Sequence, residues 1–179
     1  MGSVSDSVVR HAPCPVLVAR KAEEEQQTSV FPTKILLATD GSEEAELALR
    51  TAVDLAEKTD SELHVVHVGR LLGHAGGAAI ARGPLPGGQD ALDREARRLL
   101  EAQVEKIEAA GGGVARAHLG SSERRDAEIV SLAEEISAGL IAMGSRGLGG
   151  MQRLLLRSVS DSVVRHAHCP VLVAREKSR

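Results

Sequence analysis

Two short stretches carry the residue types that hold a negatively charged group through backbone amides. Ala38-Thr39-Asp40-Gly41-Ser42 sets a carboxylate, a glycine and a hydroxyl in a row, and Met143-Gly144-Ser145-Arg146-Gly147-Leu148-Gly149-Gly150 sets glycines around a serine and an arginine. Glycine lets N–H groups close on an anion with no Cβ between them. Ser158 then opens a segment with helical spacing, whose first free N–H groups and positive dipole end suit a phosphate. The pattern is not a Walker loop, because no Gly-Lys-Ser or Gly-Lys-Thr occurs. Nor is it a dinucleotide fingerprint, since the count from Gly147 puts Gln152 where the third glycine belongs. On spacing alone, the glycines serve equally well as a plain turn.

Other reactive residue types are present without a working arrangement. Ser145 lacks the Gly-x-Ser-x-Gly elbow of a hydrolase nucleophile. His64 and His67 lie three apart on a strand and point to opposite faces, so they cannot chelate together. His166 and His168 straddle a helix end, and Glu134 and Glu135 fall on the solvent side of a helix. No residue stands out as a base to position water, and no carboxylate pair marks a metal site. The expectation is therefore no catalytic residue and no metal ligand.

Strands and helices alternate around these stretches. Ile35-Leu36-Leu37-Ala38, Leu140-Ile141-Ala142-Met143 and Val171-Leu172-Val173-Ala174 are apolar at every position, the pattern of strands covered on both faces in a parallel sheet. Leu63 to Val68 reads as another strand, and Val114 to Leu119 as a fifth. Ser42 caps a helix with Glu43, Glu44 and Glu46 in its first turn and a stripe of Ala45, Ala48, Leu49, Ala52, Leu55 and Ala56. Leu92, Ala96, Leu99, Val104 and Ile107 form a second stripe, stopped by Gly111-Gly112-Gly113. Ile129, Val130, Leu132, Ala133 and Ile136 give a third, and Ser158 to about Ala167 a fourth helix. Strict alternation means right-handed crossovers and one doubly wound α/β sheet. Ligands on such a sheet bind beyond the carboxyl ends of the strands, where the winding reverses. Both glycine-bearing stretches leave strands at that end.

Composition narrows the class. At 42% hydrophobic and 26% charged residues the chain reads as globular, and its net charge of -3 gives no cause for bulk nucleic-acid binding. Phe31 is the sole aromatic, which removes base-stacking platforms. No apolar run reaches the roughly 20 residues of a membrane span, and the N-terminus lacks signal-peptide order, so a cytoplasmic location is expected. Cys14 and Cys169 occupy matching places in two copies of one segment, with neither disulfide nor metal spacing; Cys169, ahead of Pro170, reads as a small buried hydrophobe.

That duplicated segment is the most unusual feature. Residues 3–20 and 158–175 are identical except for Pro13 against His168. Packing alone does not require identical exposed residues such as Asp6, Arg10 and His11, so the segment reads as a copy. The chain divides into a duplicated helix and strand (1–20), a linker (21–32) and a main domain (33–175), with a glycine-rich loop from Gly69 to Gly88. The Val16-Leu17-Val18 strand is expected to extend a sheet edge, beside its own Val171 strand or on a partner molecule.

Lys34-Ile35-Leu36-Leu37-Ala38-Thr39-Asp40-Gly41-Ser42, Leu63 to Val68, Leu140 to Gly147 and Ser158 to Arg175 together resemble the universal stress protein family in order and spacing, from about Thr33 to Arg175. The resemblance implies a three-layer, adenine-nucleotide alpha-hydrolase-like fold with a five-stranded parallel sheet in the order 3-2-1-4-5. It also implies a homodimer through the last strand, with the N-terminal repeat strand a candidate participant. ATP, alone or with Mg, is the implied cofactor. Ala38, Val68 and Met143 would then line the adenine pocket and Asp40 would hold the ribose or adenine side. Gly144, Arg146, Gly147, Ser158, Val159 and Ser160 would surround ribose and phosphates. The family's Gly-x-x-Gly, nine residues, Gly-Ser/Thr pattern starts at Gly144 and ends on Arg157-Ser158, so Arg157 stands where glycine belongs. Its guanidinium either meets the phosphates or fills their space. The implied function is a stress-response regulator that binds an adenine nucleotide, with at most slow incidental ATP hydrolysis. The alternative is a nucleotide-free dimerisation module whose phosphate site Arg157 has disabled.

Overall fold

In a computed structural model, residues 7–9, 11–19, 33–69, 88–145 and 159–175 are described. Their strands are β1 (Val16–Val18), β2 (Lys34–Ala38), β3 (Glu62–Gly69), β4 (Arg116–Ser121), β5 (Leu140–Gly144) and β6 (Val171–Ala174). The helices of the main domain are α1 (Glu43–Thr59), α2 (Gly88–Ala109), α3 (Arg125–Glu135) and α4 (Val159–His166). The linker at 21–32 and most of the Gly69 to Gly88 loop lie outside the described residues.

Each fully apolar run became a central strand because only a doubly covered strand can use apolar side chains on both faces. Leu36, Val66, Ile141 and Val171 face one side, where Ile129 and Ala133 of α3 and Val163 and Val164 of α4 cover them. Ile35, Leu37, Val65 and Ala142 face the other, under Ala48, Leu49 and Ala52 of α1 and Leu100 and Ile107 of α2. The result is three layers. β4 lies at an edge and is largely exposed, and it starts at Arg116 rather than at Val114.

The expected sheet of five parallel strands in the order 3-2-1-4-5 needs correction. The sheet has six strands in the order β1-β6-β5-β2-β3-β4. The added strand is β1, which pairs antiparallel with β6, whereas the other neighbours are all parallel. A parallel sheet ends in an open row of N–H and C=O groups, and an unpaired apolar strand in the same chain supplies their partners. β1 thus extends the edge beside its own copy rather than taking the copy's slot.

Helix stripes shift by one position where the sequence offers two neighbours of like size. In α2 the buried residues are Ala96, Leu100, Gln103 and Ile107, and Leu99 is half-buried. In α1 Val53 is buried and Leu55 is half-buried. Ser42 caps α1 as expected, its Oγ accepting from the N–H of Ala45 at 3.2 Å. After α2 the chain turns at Gly111, whose φ of +89° is the left-handed conformation that ends helices. Cys169 is buried and Cys14 exposed. Among the described residues, no helix is long and apolar enough to cross a membrane.

His64 and His118 stack across β3 and β4 with ring centroids 5.4 Å apart. His64 Nδ1 lies 3.1 Å from His118 Nε2, and His64 Nε2 lies 3.4 Å from a Glu62 oxygen. Both contacts are satisfied when His118 donates to His64 Nδ1 and His64 Nε2 donates to the carboxylate, an arrangement in which His64 carries its single ring proton on Nε2. Burial first, then His64 and Arg116, lower the His118 pKa, while Glu135 opposes them. A histidine whose folded pKa lies below its unfolded value binds fewer protons when folded, so its stabilising effect is complete above about pH 6.5 and fades as pH falls through the lowered value. The thermal midpoint is therefore expected to drop between about pH 7 and pH 5. His118→Asn should flatten that slope, as differential scanning calorimetry across the range will measure.

Candidate functional site

The strand ends bring the two glycine-bearing stretches together. β2 and β5 are parallel neighbours, and Ala38, the last residue of one, pairs with Met143 near the end of the other. On the other side, Ala38 pairs with Val66, two residues before Val68. Ala38, Val68 and Met143 are all buried in the cluster that also contains Val163 and Val164 of α4. The three candidate adenine-lining residues thus share one face of the sheet, and it is the face on which α4 lies.

The turn after β2 is held by its own polar atoms. Gly41 has φ of +80°, a conformation that a side chain makes costly. The Asp40 carboxylate accepts the N–H of Ser42 at 3.1 Å, an Asx turn that fixes its direction ahead of α1. Thr39 accepts the N–H of Gly41 at 3.2 Å and donates to Gln103 Oε1 at 3.3 Å. His67 Nδ1 donates to the Thr39 carbonyl at 2.8 Å, which places the ring proton on Nδ1. Buried Gln103 and His67 therefore anchor the turn to α2 and β3. None of these anchors was read from the sequence as belonging to the site. A glutamine set in the apolar stripe of α2, with Ala96 and Leu100 before it and Ile107 after, was the available signal.

Across the turn, Gly144 ends β5 and Ser145 follows it. Ser160, on the first turn of α4, donates to the Ser145 carbonyl at 3.0 Å. Ser145 donates its own hydroxyl to the Glu44 carboxylate at 2.8 Å. Those two bonds tie the start of α4 and the start of α1 to the end of β5. Val159 and Ser160 are thus placed beside Gly144, whereas Arg146, Gly147, Arg157 and Ser158 lie outside the described residues.

The two helix starts differ in charge. α1 carries Glu43, Glu44 and Glu46 in its first turn, and α4 carries Asp161 alone. Three carboxylates already answer the positive end of the α1 dipole, so an added anion is better accommodated at α4. Glu46 is also paired with Lys106 of α2, and that lysine, through its hydrogen bond and charge, lowers the Glu46 pKa.

Two other polar or concave features lie outside this site. Ser162, Asp126 and His166 meet between α3 and α4, but in the wrong order for a nucleophile. The Ser162 hydroxyl donates to Asp126 at 2.6 Å, and His166 Nδ1 donates to the Ser162 carbonyl at 2.8 Å. The serine proton is therefore held by the acid rather than by the base, and this hydrogen bond is the main cause of the lowered Asp126 pKa. A cleft of about 380 Å³ lies at the opposite end of the sheet, walled by Val53, Glu57, Glu62, Leu63, Gly112 and Val114. It sits at the amino ends of the strands, where the dipoles of α1 and α2 present their negative ends, a poor place for an anion. Among the described residues, no group of three or more His, Cys, Asp or Glu is placed to hold a metal ion.

Known proteins agree with this architecture. The Universal stress protein family model matches residues 32–175. Universal stress protein MJ0531 of Methanocaldococcus jannaschii is 33% identical over 147 residues, covering 82% of this chain and 84% of its own length. The crystal structure of a universal stress protein from Archaeoglobus fulgidus superposes with a TM-score of 0.65 at 30% identity, covering 99% of this chain, which spans 55% of that one. A universal stress protein solved in complex with cAMP shares the fold, with a TM-score of 0.62 at 22% identity over 82% of this chain and 99% of its own. With the matched region running from the strand before the Asp40 turn to the end of β6, the chain belongs to the universal stress protein family.

Proposed function

We propose that the protein is a stress-response regulator that binds an adenine nucleotide, ATP foremost, at the carboxyl ends of β2 and β5. One observation carries this reading. Ala38, Val68 and Met143 form an apolar floor on the face where α4 begins, with Asp40 and Gly144 at its rim. An apolar floor suits a base, a carboxylate suits ribose hydroxyls, and a helix start beside a glycine suits phosphate. The donor set thus fits the nucleotide. When bound, ATP would supply the triphosphate charge, with Mg as its counter-ion. The residues of this chain orient it: Asp40 by accepting from hydroxyls, Gly144 and Ser160 by backbone N–H. The protein acts by binding rather than by turnover, and works in the cytoplasm.

A second reading has its own support. Arg157 replaces the family glycine, and Glu44 sets a carboxylate on Ser145 at the same mouth. In that reading the site is nucleotide-free and the output is an interaction.

Isothermal titration calorimetry of the full chain with ATP separates the two. Binding at one site per chain, weakened about ten-fold or more by Asp40→Ala, supports the first, since a hydrogen bond to a charged group contributes about 1.5–3 kcal/mol. No heat with the native chain but binding by Arg157→Gly supports the second. If neither binds, the nucleotide proposal fails.

Glu44→Gln offers an independent check. Like charges that share a solvent-open mouth repel by about 1 kcal/mol. The variant should therefore bind ATP about five-fold more tightly, with the gain shrinking in high salt, while adenosine affinity stays unchanged. Equal gains for ATP and adenosine would contradict a phosphate position near this carboxylate.

A further inference from the structure

The cleft at the amino ends of the strands is shaped by glycines. Gly112 presses its backbone onto the core: a Cβ there would lie 2.8 Å from Val53 and 3.1 Å from Ile107. At Gly113 a Cβ would meet nothing within 4 Å. The chain after α2 is thus seated tightly at one glycine and leaves room at the next, and that room belongs to the cleft. Buried Val53, Ala56 and Leu63 form its apolar wall, and half-buried Val114 adds an edge. Its volume of about 380 Å³ is that of a small-molecule site, which is mostly apolar with a few placed polar groups.

The charged groups of this cleft are all of one sign. Glu57 of α1 and Glu62, the first residue of β3, both line it and both are exposed. Among the described residues, no Lys, Arg or His lines it. α1 and α2 end beside it, and each helix end carries about half a negative elementary charge. A basic residue in the last turn ordinarily answers that charge. Here each such residue is engaged by a carboxylate of its own. Lys58 of α1 pairs with Asp54 at 2.6 Å, and Lys106 of α2 pairs with Glu46. Glu57 takes part in no ion pair among the described residues. An apolar hollow therefore lies in a negative field that the chain leaves unanswered.

We propose that this cleft is a second binding site, for an aliphatic ammonium ligand, and that a linear diamine is the class it fits. The methylenes of such a ligand cover Val53 and Leu63, while its two ammonium groups answer Glu57 and Glu62. A bare divalent cation gains nothing from the apolar wall, and an uncharged chain gains nothing from the field. A diamine uses both. The polarity that gathers amide donors at the carboxyl ends of the strands makes the amino ends select the opposite charge.

The test is a titration of the isotope-labelled full chain with cadaverine, followed by amide chemical shifts in two-dimensional NMR. Pentanediol and magnesium chloride serve as controls at matched ionic strength. Cadaverine should give saturable shifts centred on Leu63, Gly112 and Ala115, at one site per chain. Asp40→Ala should leave them unchanged, because the turn after β2 lies at the other end of the sheet. Glu57→Gln and Glu62→Gln should each weaken binding roughly three- to five-fold, the yield of a solvent-open ion pair. Gly113→Trp sets a ring in the open space and should abolish the shifts with an unchanged circular dichroism spectrum. Absence of saturable shifts with cadaverine would overturn the proposal. So would equal saturation by pentanediol, which would leave the charges idle, or by magnesium, which would leave the apolar wall idle. Binding that survives Gly113→Trp would overturn it too. Should the tryptophan variant not fold, Glu57→Lys decides. It turns an attraction into a repulsion and should weaken cadaverine binding roughly ten-fold or more, and unchanged affinity contradicts the site.

Discussion

A parallel sheet buried on both faces constrains everything else in this molecule. Every crossover must leave a strand at its carboxyl end and return through a helix to the amino end of the next strand. The first N–H groups of the helices therefore gather at one end of the sheet and the last carbonyls at the other. The turn at Asp40, the end of β5 and the start of α4 meet for that reason, without any need for their residues to attract one another. Chemistry that needs amide donors has one place to go, and the 380 Å³ cleft at the far end is on the wrong side of this polarity.

Within that frame the site is braced from both faces. Thr39, Gln103 and His67 fix the turn after β2 from the side of α2 and β3, and Ser145 links Glu44 of α1 to Ser160 of α4. Buried polar networks of this sort hold a backbone in one conformation because an unmet buried donor or acceptor is costly. A binding protein gains from such rigidity, since a preformed site loses less order on taking its ligand.

The apolar runs at Ile35, Leu140 and Val171 declared buried strands, because four residues are too few for a buried helix and a doubly covered strand takes apolar side chains on both sides. Ser42 with its three glutamates declared a helix start for equally local reasons. Long-range features were harder to read. Leu99 and Leu100 are equivalent by composition, and only the sheet beneath decides which turns inward. Gln103 resembles any surface glutamine until Thr39, 64 positions away, arrives as its partner. The sixth strand illustrates the limit best. Its sequence declared where it could pair, but a linker long enough for either arrangement left cis and trans equally open, and only the assembled sheet placed Val16 opposite Val173.

The central claim is that the carboxyl ends of β2 and β5 receive an anionic nucleotide. Hydrogen–deuterium exchange of the full chain with and without saturating ATP tests it directly. The account predicts slowed exchange at residues 38–45, 143–147 and 157–163, with the opposite cleft around 53–63 and 112–115 unaffected. Unchanged exchange at the strand ends, or protection centred on that opposite cleft, would contradict it.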